Sequence, residues 1–222
     1  MLVSRRQFLF VFSSIAFFRG SLIDARAGYS ETIVALKRAY ANEIQAHLNY
    51  LSFVEKAKME SYPGIAHFFI CLATSESLHA RNFKEVLSGL GVHGWDPPKP
   101  EVEVFSTKVN LKNALDFEIE DIDQRYPQIY EESKPEKHET ALRNIVYAWE
   151  SEKQHRDLLQ KMRSGTGIFF GLLSKTIEAA SARFVVLFVC HTCGSTMVKL
   201  PEDSCPICKN PVSMYKEVAR FK

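Results

Sequence analysis

Four glutamates interrupt the apolar stripes of four separate predicted helices, and they constrain the fold of this chain more than any other feature. They are Glu43, Glu76, Glu118 and Glu152. A carboxylate that faces a packed interior costs several kcal/mol unless a positive charge or a set of hydrogen bonds compensates it. Four carboxylates at matching depth therefore require a shared cation, and two hard metal ions would serve.

Two of these glutamates are followed by a histidine three residues later, in Glu76-Ser-Leu-His79 and Glu152-Lys-Gln-His155. Residues at i and i+3 are neighbours on one helical face, so both side chains can reach an ion on a bundle axis. One glutamate from each of two helices, with Glu-x-x-His from each of the other two, is the ligand set of ferritin-like di-iron bundles. A single such pair is a weak signal. The alternative is that some of these side chains lie on solvated faces, but the full combination favours a di-metal site.

Apolar periodicity predicts the four helices that such a bundle needs. They cover residues 32–58, residues 64–88, a segment that begins near residue 110, and a segment that ends near residue 162. Pro127 is predicted to end or kink the third helix. Residues 92–107 contain three prolines and suit a crossover between antiparallel helix pairs. Residues 168–189 are apolar and ambiguous, with a short helix over 172–182 and a strand over 184–189 as the best assignment.

The N-terminus reads as a segment that is removed from the mature protein. Arg5 and Arg6 precede an apolar run over residues 8–18, and Ala25-Arg26-Ala27 supplies small residues at a cleavage spacing. This order is typical of a twin-arginine export signal, and it predicts a periplasmic protein. An uncleaved membrane anchor is the alternative, but the apolar run is well short of the ~20 residues that span a bilayer.

The composition fits an ordinary globular protein with a small appendage, since 46% of the 222 residues are apolar and 24% are charged. Removal of residues 1–27 takes away four arginines and one aspartate and changes the formal charge from +2 to −1. No basic patch then remains that would indicate nucleic-acid binding. No later apolar run predicts a membrane span.

Two C-x-x-C pairs mark the last domain, and eleven residues separate them. The segment that carries them is too small to build an adequate core, so a metal must supply much of its stability. Four thiolates favour zinc or iron, and the spacing does not decide between them. Disulfides are the less favoured alternative for an exported protein. The ligands are Cys190, Cys193, Cys205 and Cys208. The predicted organisation is a signal over 1–27, a bundle over 28–164, a connector over 165–185 and a metal-binding domain over 186–222.

The two predicted sites suit different chemistry. Carboxylates can bridge two irons and stabilise the oxidised pair, which suits two-electron reactions with peroxide or dioxygen, although oxygen and nitrogen ligands accept manganese as well. Ligation by thiolates alone suits one-electron transfer at a single iron. The chain therefore combines a reactive site with an electron-transfer site.

With these motifs in place, the chain resembles the rubrerythrins over almost all of residues 30–222. The resemblance implies a mainly α protein, with a ferritin-like four-helix bundle followed by a small rubredoxin-like β domain. It also implies a peroxidase that reduces hydrogen peroxide to water with electrons from the rubredoxin iron. It implies a homodimer in which one subunit's rubredoxin domain approaches the other's di-iron site. The matching segments are Asn42-Glu43 with Gln45-Ala46, both Glu-x-x-His pairs, Leu111-Lys112 leading to Glu118, and the paired cysteines.

The resemblance also assigns roles to individual residues. It implies Glu76, Glu118 and Glu152 as shared ligands, with Glu43 and His155 as more terminal ones. In the family one iron exchanges a histidine for a further carboxylate as its oxidation state changes, and those positions match His79 and Asp121. Rubrerythrins normally have glutamate where this chain has Asp121, which is one methylene shorter, so the exchange step is in question here. The resemblance further implies that two tyrosines hydrogen-bond the carboxylates, Tyr50 and Tyr126.

Three further expectations concern residues outside this set. Lys209 stands where the family usually has glycine, which predicts that the turn is relaxed or that Asn210 shares the strain. His47 is predicted to lie on the helix surface or behind the ligands. The remaining histidines are predicted to be exposed, and they are His67, His93, His138 and His191.

The sequence is also compatible with two other functions. One is a ferroxidase that detoxifies ferrous iron, and the other is a non-catalytic zinc-ribbon interaction protein. The electron donor of an exported peroxidase would be an unidentified membrane or periplasmic protein, because cytosolic nucleotide is out of reach.

Overall fold

The computed structural model describes residues 28–164 and 186–219. The first range forms a helical bundle and the second a small sheet domain, which confirms the predicted fold class. The bundle helices are α1 (Ser30–Met59), α2 (Pro63–Gly89), α3 (Thr107–Glu120), α4 (Tyr126–Ser133) and α5 (Glu139–Ser164). The predicted export signal and the predicted short helix over 172–182 lie outside the described residues.

The first two helices and the last agree with the sequence periodicity to within a few residues. Pro63 begins α2, where the missing N–H of proline would have had no partner in any case. Ser106 caps α3, since its hydroxyl accepts a hydrogen bond from the Val109 amide at 3.4 Å. The cap of α1 comes from far along the chain, because the amide of Thr32 donates to Glu136 at 2.8 Å. Residues 92–106 cross between the two helix pairs without helical structure, as predicted.

The third predicted helix is interrupted, but Pro127 does not end it. A π-helical turn, Asp121–Arg125, separates α3 from α4, and each segment runs directly into the next. Pro127 occupies the first turn of α4, where a proline is tolerated. The π turn inserts an extra residue into the helical repeat, so Glu118 before it and Tyr126 after it are both buried.

The buried apolar side chains of the bundle form two clusters. One contains Tyr50, Phe53 and Phe69, and the other contains Phe83 and Tyr126. The hydroxyls of Tyr50 and Tyr126 donate to Glu118 and Glu43, so the glutamates lie between the two clusters. Among the described residues, none of the helices has the length and apolar character needed to cross a bilayer.

The C-terminal domain is a three-stranded antiparallel sheet of order β2-β1-β3. Its strands are β1 (Phe188–Cys190), β2 (Thr196–Met197) and β3 (Tyr215–Glu217). Phe188 pairs with Met197 on one side and with Glu217 on the other. The predicted strand over 184–189 overlaps β1, although residues 184 and 185 lie outside the described part of the chain. The four cysteines lie around this sheet and are all buried.

Candidate metal centres in the bundle and the cysteine domain

Six acidic and histidine side chains from four helices meet in the middle of the bundle. They form two groups, and within each group the ligand atoms all lie within 4.8 Å of one another. One group comprises Glu43, Glu76, His79 and Glu152, and the other comprises Glu76, Glu118, Glu152 and His155. Every member is buried. The structure thus brings together the four glutamates and both Glu-x-x-His pairs that the sequence singled out.

Glu76 and Glu152 are common to both groups, and each directs one oxygen toward each histidine. Glu76 lies 3.0 Å from His79 Nδ1 through Oε2 and 3.1 Å from His155 Nδ1 through Oε1. Glu152 lies 3.0 Å from His79 Nδ1 through Oε1 and 2.8 Å from His155 Nδ1 through Oε2. These two carboxylates therefore have the geometry of bridges between two ions. Glu118 belongs only to the His155 group, and Glu43 only to the His79 group.

Two buried tyrosines complete a nearly symmetrical arrangement. Tyr126 donates a hydrogen bond to Glu43, and Tyr50 donates one to Glu118. Burial, followed by the charge of the adjacent glutamate, raises the pKa of each tyrosine well above its ordinary value. Both hydroxyls therefore keep their protons and act as donors, and each fixes the carboxylate that belongs to only one group.

The four carboxylates of the cluster carry more negative charge than its two histidines can balance. Burial raises the pKa of Glu152 well above its ordinary value, with Glu76 and Glu118 adding to the effect. Burial also raises the pKa of Glu43 to about 7. Burial acts in the same direction on Glu76, but His155 and His79 outweigh it and lower the pKa to about 2. Two imidazoles cannot neutralise four carboxylates even when both are protonated, so cations are needed to keep all four ionised.

Contacts with the cysteine domain determine which ring nitrogen of each histidine carries the proton and which one presents a lone pair to the carboxylates. His79 Nε2 lies 3.0 Å from the carbonyl oxygen of Cys193, which can only accept, so Nε2 carries the proton. His155 Nε2 lies 3.2 Å from Thr196 Oγ1, whose own proton goes to the Gly194 carbonyl at 2.9 Å. In the neutral rings, both Nδ1 lone pairs therefore point at carboxylate oxygens. Lone pairs and anions that converge in this way fit a metal ion between them.

One oxygen of the cluster supports the same conclusion. Glu152 Oε1 is buried and accepts no hydrogen bond of acceptable geometry, although His79 Nδ1 is 3.0 Å away. Two side chains that bind the same ion would lie this close to each other without forming a hydrogen bond between them. An orphaned buried carboxylate oxygen is costly, and a cation would satisfy it.

The four cysteine sulfurs form the third group. The Sγ atoms of Cys193 and Cys205 lie 3.5 Å apart, and those of Cys190 and Cys208 lie 3.8 Å apart. None of the five cysteines, all of which lie in the described part of the chain, forms a disulfide. Metal–sulfur bonds of about 2.3 Å in a tetrahedron place neighbouring sulfurs about 3.8 Å apart. The spacing therefore fits a tetrathiolate ion, and the disulfide alternative finds no support.

The cysteine domain lies directly on the di-metal cluster of the same chain. Ser75 donates to the Gly194 carbonyl at 2.7 Å, and Asn82 donates to the Thr192 carbonyl at 2.8 Å, both from the α2 face that carries His79. Gln154 on α5 accepts from the amide of Thr196 at 3.1 Å. The single chain makes this approach to its own cluster, and the approach between subunits that the resemblance implied stays a prediction. Sequence reasoning missed these contacts, and the only available signal was that Ser75, Asn82 and Gln154 lie beside or one turn from the predicted ligands.

Three residues for which sequence reasoning made predictions lie outside both metal groups. Asp121 is in neither group, and its carboxylate instead accepts from Arg125 Nη1 at 2.9 Å. His47 is half-buried, pairs with the Ala73 carbonyl at 2.7 Å and belongs to neither metal group, as expected. The prediction that His67 is exposed was wrong, since only 2% of its surface is accessible. The residues from Gly64 to Phe69 are all buried, because neighbouring structure surrounds the start of α2 on every side.

Lys209 adopts the left-handed conformation that glycine favours, with φ of 61°. The turn is therefore not relaxed. Asn210 contributes hydrogen bonds, since its carbonyl accepts from the Cys205 amide at 2.8 Å and its Nδ2 donates to Cys208 Sγ at 3.4 Å. Lys209 itself, however, carries the strained φ.

Substitution of Lys209 by glycine should stabilise the cysteine domain by about 1 kcal/mol, because glycine adopts a positive φ without steric cost. The measurement is the guanidinium concentration at which the metal-loaded full chain loses its tetrathiolate absorption. Lys199→Gly is the control, since Lys199 is an exposed lysine of the same domain without a positive φ. Equal midpoints for wild type and Lys209→Gly would show that the turn is not strained.

The fold and the two kinds of metal group together define a di-iron carboxylate protein of the ferritin-like class with an attached tetrathiolate domain. The rubrerythrin family model matches residues 35–163. Rubrerythrin-2 of Clostridium acetobutylicum is 31% identical over 176 residues, which cover 78% of this chain and 89% of that protein. The chain therefore belongs to the rubrerythrin family, a family of oxidoreductases.

Other comparisons agree with this result. Rubrerythrin of Porphyromonas gingivalis is 30% identical over 84% of this chain and 90% of its own length. The solved structure of nigerythrin in its fully reduced, all-ferrous state has a TM-score of 0.71 at 22% identity and covers 84% of this chain and 86% of its own. The carboxylate and histidine groups fit the di-iron site of the family, and the four cysteines fit a rubredoxin-like iron site.

Proposed function

We propose that this chain is a non-haem di-iron peroxidase that reduces hydrogen peroxide to water with electrons supplied through the tetrathiolate iron. The observation that carries the proposal is the hydrogen bond between the Cys193 carbonyl and His79 Nε2, at 3.0 Å. A cysteine of one metal group and a histidine of the other are thereby in direct contact. Such contact suits a site that must be re-reduced after each turnover.

The assignment of ligands is part of this proposal. Glu43, Glu76, His79 and Glu152 would hold one iron, and Glu76, Glu118, Glu152 and His155 the other. Cys190, Cys193, Cys205 and Cys208 would hold the third. Manganese in the bundle and zinc between the thiolates are the alternative occupants, because the same donor atoms accept them.

The side chains of the bundle prepare the site for a two-electron reduction. Two bound ferrous ions would supply the two electrons that cleave the O–O bond of peroxide, and two protons would complete two molecules of water. The carboxylates would hold the two ions together and stabilise the positive charge that the ions gain on oxidation. Tyr50 and Tyr126 hold Glu118 and Glu43 in place, and the apolar clusters around both rings exclude bulk water.

Rapid mixing of the iron-loaded, chemically reduced protein with peroxide or with dioxygen tests the proposal. We expect peroxide to oxidise the bundle irons much faster than dioxygen does. Faster oxidation by dioxygen, with ferric mineral formed from added ferrous iron, would indicate a ferroxidase instead. A colourless, zinc-loaded cysteine domain together with an unreactive bundle would indicate a zinc-ribbon interaction protein.

We further propose that the protein is a homodimer that receives electrons from a separate redox protein. Both features are common among rubrerythrins. The donor would bind the exposed side of the cysteine domain, because α2 and α5 contact the opposite side. Sedimentation of the metal-loaded full chain tests the dimer, and a monomer at micromolar concentration would exclude it.

Export is proposed from the sequence of residues 1–27. Replacement of Arg5 and Arg6 by lysine should retain the protein in the cytoplasm, because the paired arginines are the feature that the export route recognises. Cell fractionation with N-terminal sequencing is the measurement, and we expect the exported wild type to begin near Gly28. Replacement of Arg19 by lysine is the matched control. Equal export of all forms would contradict the assignment.

A further inference from the structure

A chain of side chains in hydrogen-bond contact runs from a cysteine sulfur to the bundle. The hydroxyl of Tyr215, the first residue of β3, lies 3.2 Å from Cys205 Sγ and 2.8 Å from Ser195 Oγ. Ser195 Oγ in turn lies 2.9 Å from Oε1 of Gln154 on α5. Ser195 and Cys205 are fully buried, and Tyr215 is only 6% exposed. This hydroxyl chain connects a proposed iron ligand with a helix of the bundle.

Both ends of the hydroxyl chain accept hydrogen bonds. The backbone amide of Thr196 donates to Gln154 Oε1 at 3.1 Å, and a backbone N–H can only donate. The Gln154 atom in the chain is therefore the amide oxygen and not the amide nitrogen. At the other end, a metal-bound sulfur of Cys205 carries no proton, because the thiolate is the form that binds metal. Neither end supplies a proton to the chain.

The hydroxyl chain consequently has three links but only two protons, those of the two hydroxyls. The link between Ser195 and Tyr215 has the ordinary length of an O–H···O bond and is the shortest of the three, so it holds one proton. The remaining proton can occupy only one of the two outer links. Either Ser195 donates to Gln154 while Tyr215 donates to Ser195, or Tyr215 donates to Cys205 while Ser195 donates to Tyr215.

The charge on the sulfur selects between these two arrangements. One-electron reduction of a tetrathiolate iron adds one negative charge to the site, and the sulfurs carry part of it. A hydrogen bond to a charged acceptor is roughly twice as strong as one between neutral groups. The added charge therefore favours donation from Tyr215 to Cys205. Removal of the electron weakens this bond and favours donation from Ser195 to Gln154.

We propose that the hydroxyl chain couples the oxidation state of the tetrathiolate iron to the contact between the cysteine domain and α5. In the ferric state both protons point toward Gln154, and in the ferrous state both point toward Cys205. Reduction thus removes the bond from Ser195 to Gln154, which is one of the contacts between the two domains. Tyr215 is a positioning residue in this arrangement, because it acts on the iron through the sulfur of Cys205.

The coupling acts in both directions, since a linkage between two equilibria is reciprocal. Contact with Gln154 draws the protons away from the sulfur, so it lowers the reduction potential of the iron. The iron of a domain that lies on α5 is therefore a stronger electron donor than the iron of a domain that has moved away. This inference rests on the proposed function, in that iron occupies the thiolate site.

The reduction potential of the tetrathiolate iron tests the inference. It is measured on the iron-loaded full chain by titration with redox dyes, followed at the ferric absorption. Tyr215→Phe should lower the potential, because the ferrous state loses a bond to a charged sulfur whereas the ferric state loses one between neutral groups. We expect the equilibrium constant for reduction to fall by about tenfold, which corresponds to about 59 mV for one electron.

Tyr147→Phe is the matched control for this variant. Tyr147 packs against the same cysteines but, among the described residues, forms no hydrogen bond with a sulfur. Its replacement should leave the potential unchanged. An unchanged potential in Tyr215→Phe, or the same shift in both variants, would overturn the inference.

Gln154→Leu distinguishes the hydroxyl chain from a general effect of domain contact. It should raise the potential, because the ferric state loses the acceptor that it uses. In the Tyr215→Phe background the same change should have no effect, since Ser195 then donates to Gln154 in both oxidation states. Equal shifts in the two backgrounds would contradict the coupling.

The same titration separates this inference from the proposed peroxidase. A colourless, zinc-loaded cysteine domain would refute the proposed electron route, and the inference would fail with it. The expected set of potentials in a protein that does not reduce peroxide would refute the peroxidase alone and support the coupling.

Discussion

Replacement of Glu152 by glutamine will remove both irons from the bundle and abolish peroxide reduction, while the tetrathiolate iron stays bound. Glu152 directs one oxygen to each half of the cluster, at 3.0 Å from His79 and 2.8 Å from His155. Glutamine has nearly the same shape but removes the negative charge that both ions need. Loss of an outer hydrogen-bond partner already weakens metal binding by about 10–100-fold, so loss of a shared ligand should weaken it by at least about 100-fold.

Glu150→Gln is the matched control for this substitution. Glu150 lies on the same helix, its side chain is 45% exposed, and its partner is Lys153 at 2.5 Å. Iron per chain, counted after gel filtration with a chelator, should fall in Glu152→Gln and stay unchanged in Glu150→Gln. Full iron content and peroxide turnover in Glu152→Gln would show that this carboxylate does not bridge the two ions.

Substitution of Gly194 by alanine is expected to uncouple the two metal sites without emptying either of them. The new Cβ would lie 2.1 Å from His79 Nε2 and 2.6 Å from Ser75 Oγ, so the cysteine domain must shift away from the bundle. A misplacement of about 1 Å can cost about 100-fold in rate where reacting groups are held in place. We expect re-reduction of the bundle irons by the tetrathiolate iron to slow by about that factor.

Gly94→Ala is the control that distinguishes the steric clash at residue 194 from the strain of a positive φ. Gly94 also has a positive φ of 67°, but nothing lies within 4 Å of the position that its Cβ would take. Both variants therefore carry the strain of a positive φ, and only Gly194→Ala adds a clash. Rapid mixing with peroxide, followed at the absorption of the ferric tetrathiolate, measures the transfer. Equal slowing in both variants would mean that strain alone is responsible.

The clustering of the proposed ligands was predictable from sequence because a buried carboxylate is an anomaly that periodicity detects. Glu43, Glu76, Glu118 and Glu152 disturb four apolar stripes, and their helices are long enough for the phase to be read. The cysteine domain was predictable for a related reason, since its short segment needs a metal to fold. At these positions the sequence pattern and the chemistry of the side chains point to the same conclusion. The fold and the groups of metal-binding residues could therefore be predicted together.

The remaining features depend on contacts between distant parts of the chain. Gln154 and Thr196 meet although 41 intervening positions separate them, and only the docked domain brings them together. The π turn has no reliable sequence signature, so the pairing of Asp121 with Arg125 was not foreseen. The burial of His67 was missed because the helical pattern gives one apolar face, whereas the start of α2 is covered on all sides.

Reaction of the fully reduced, iron-loaded protein with peroxide, followed at the ferric tetrathiolate absorption in wild type and in Glu152→Gln, tests the central claim most directly. If electrons pass from the tetrathiolate iron through the bundle to peroxide, the absorption will appear rapidly in wild type and only very slowly in the variant. Equally fast appearance in both would mean that peroxide oxidises the tetrathiolate iron directly, and it would contradict the proposed route through the bundle.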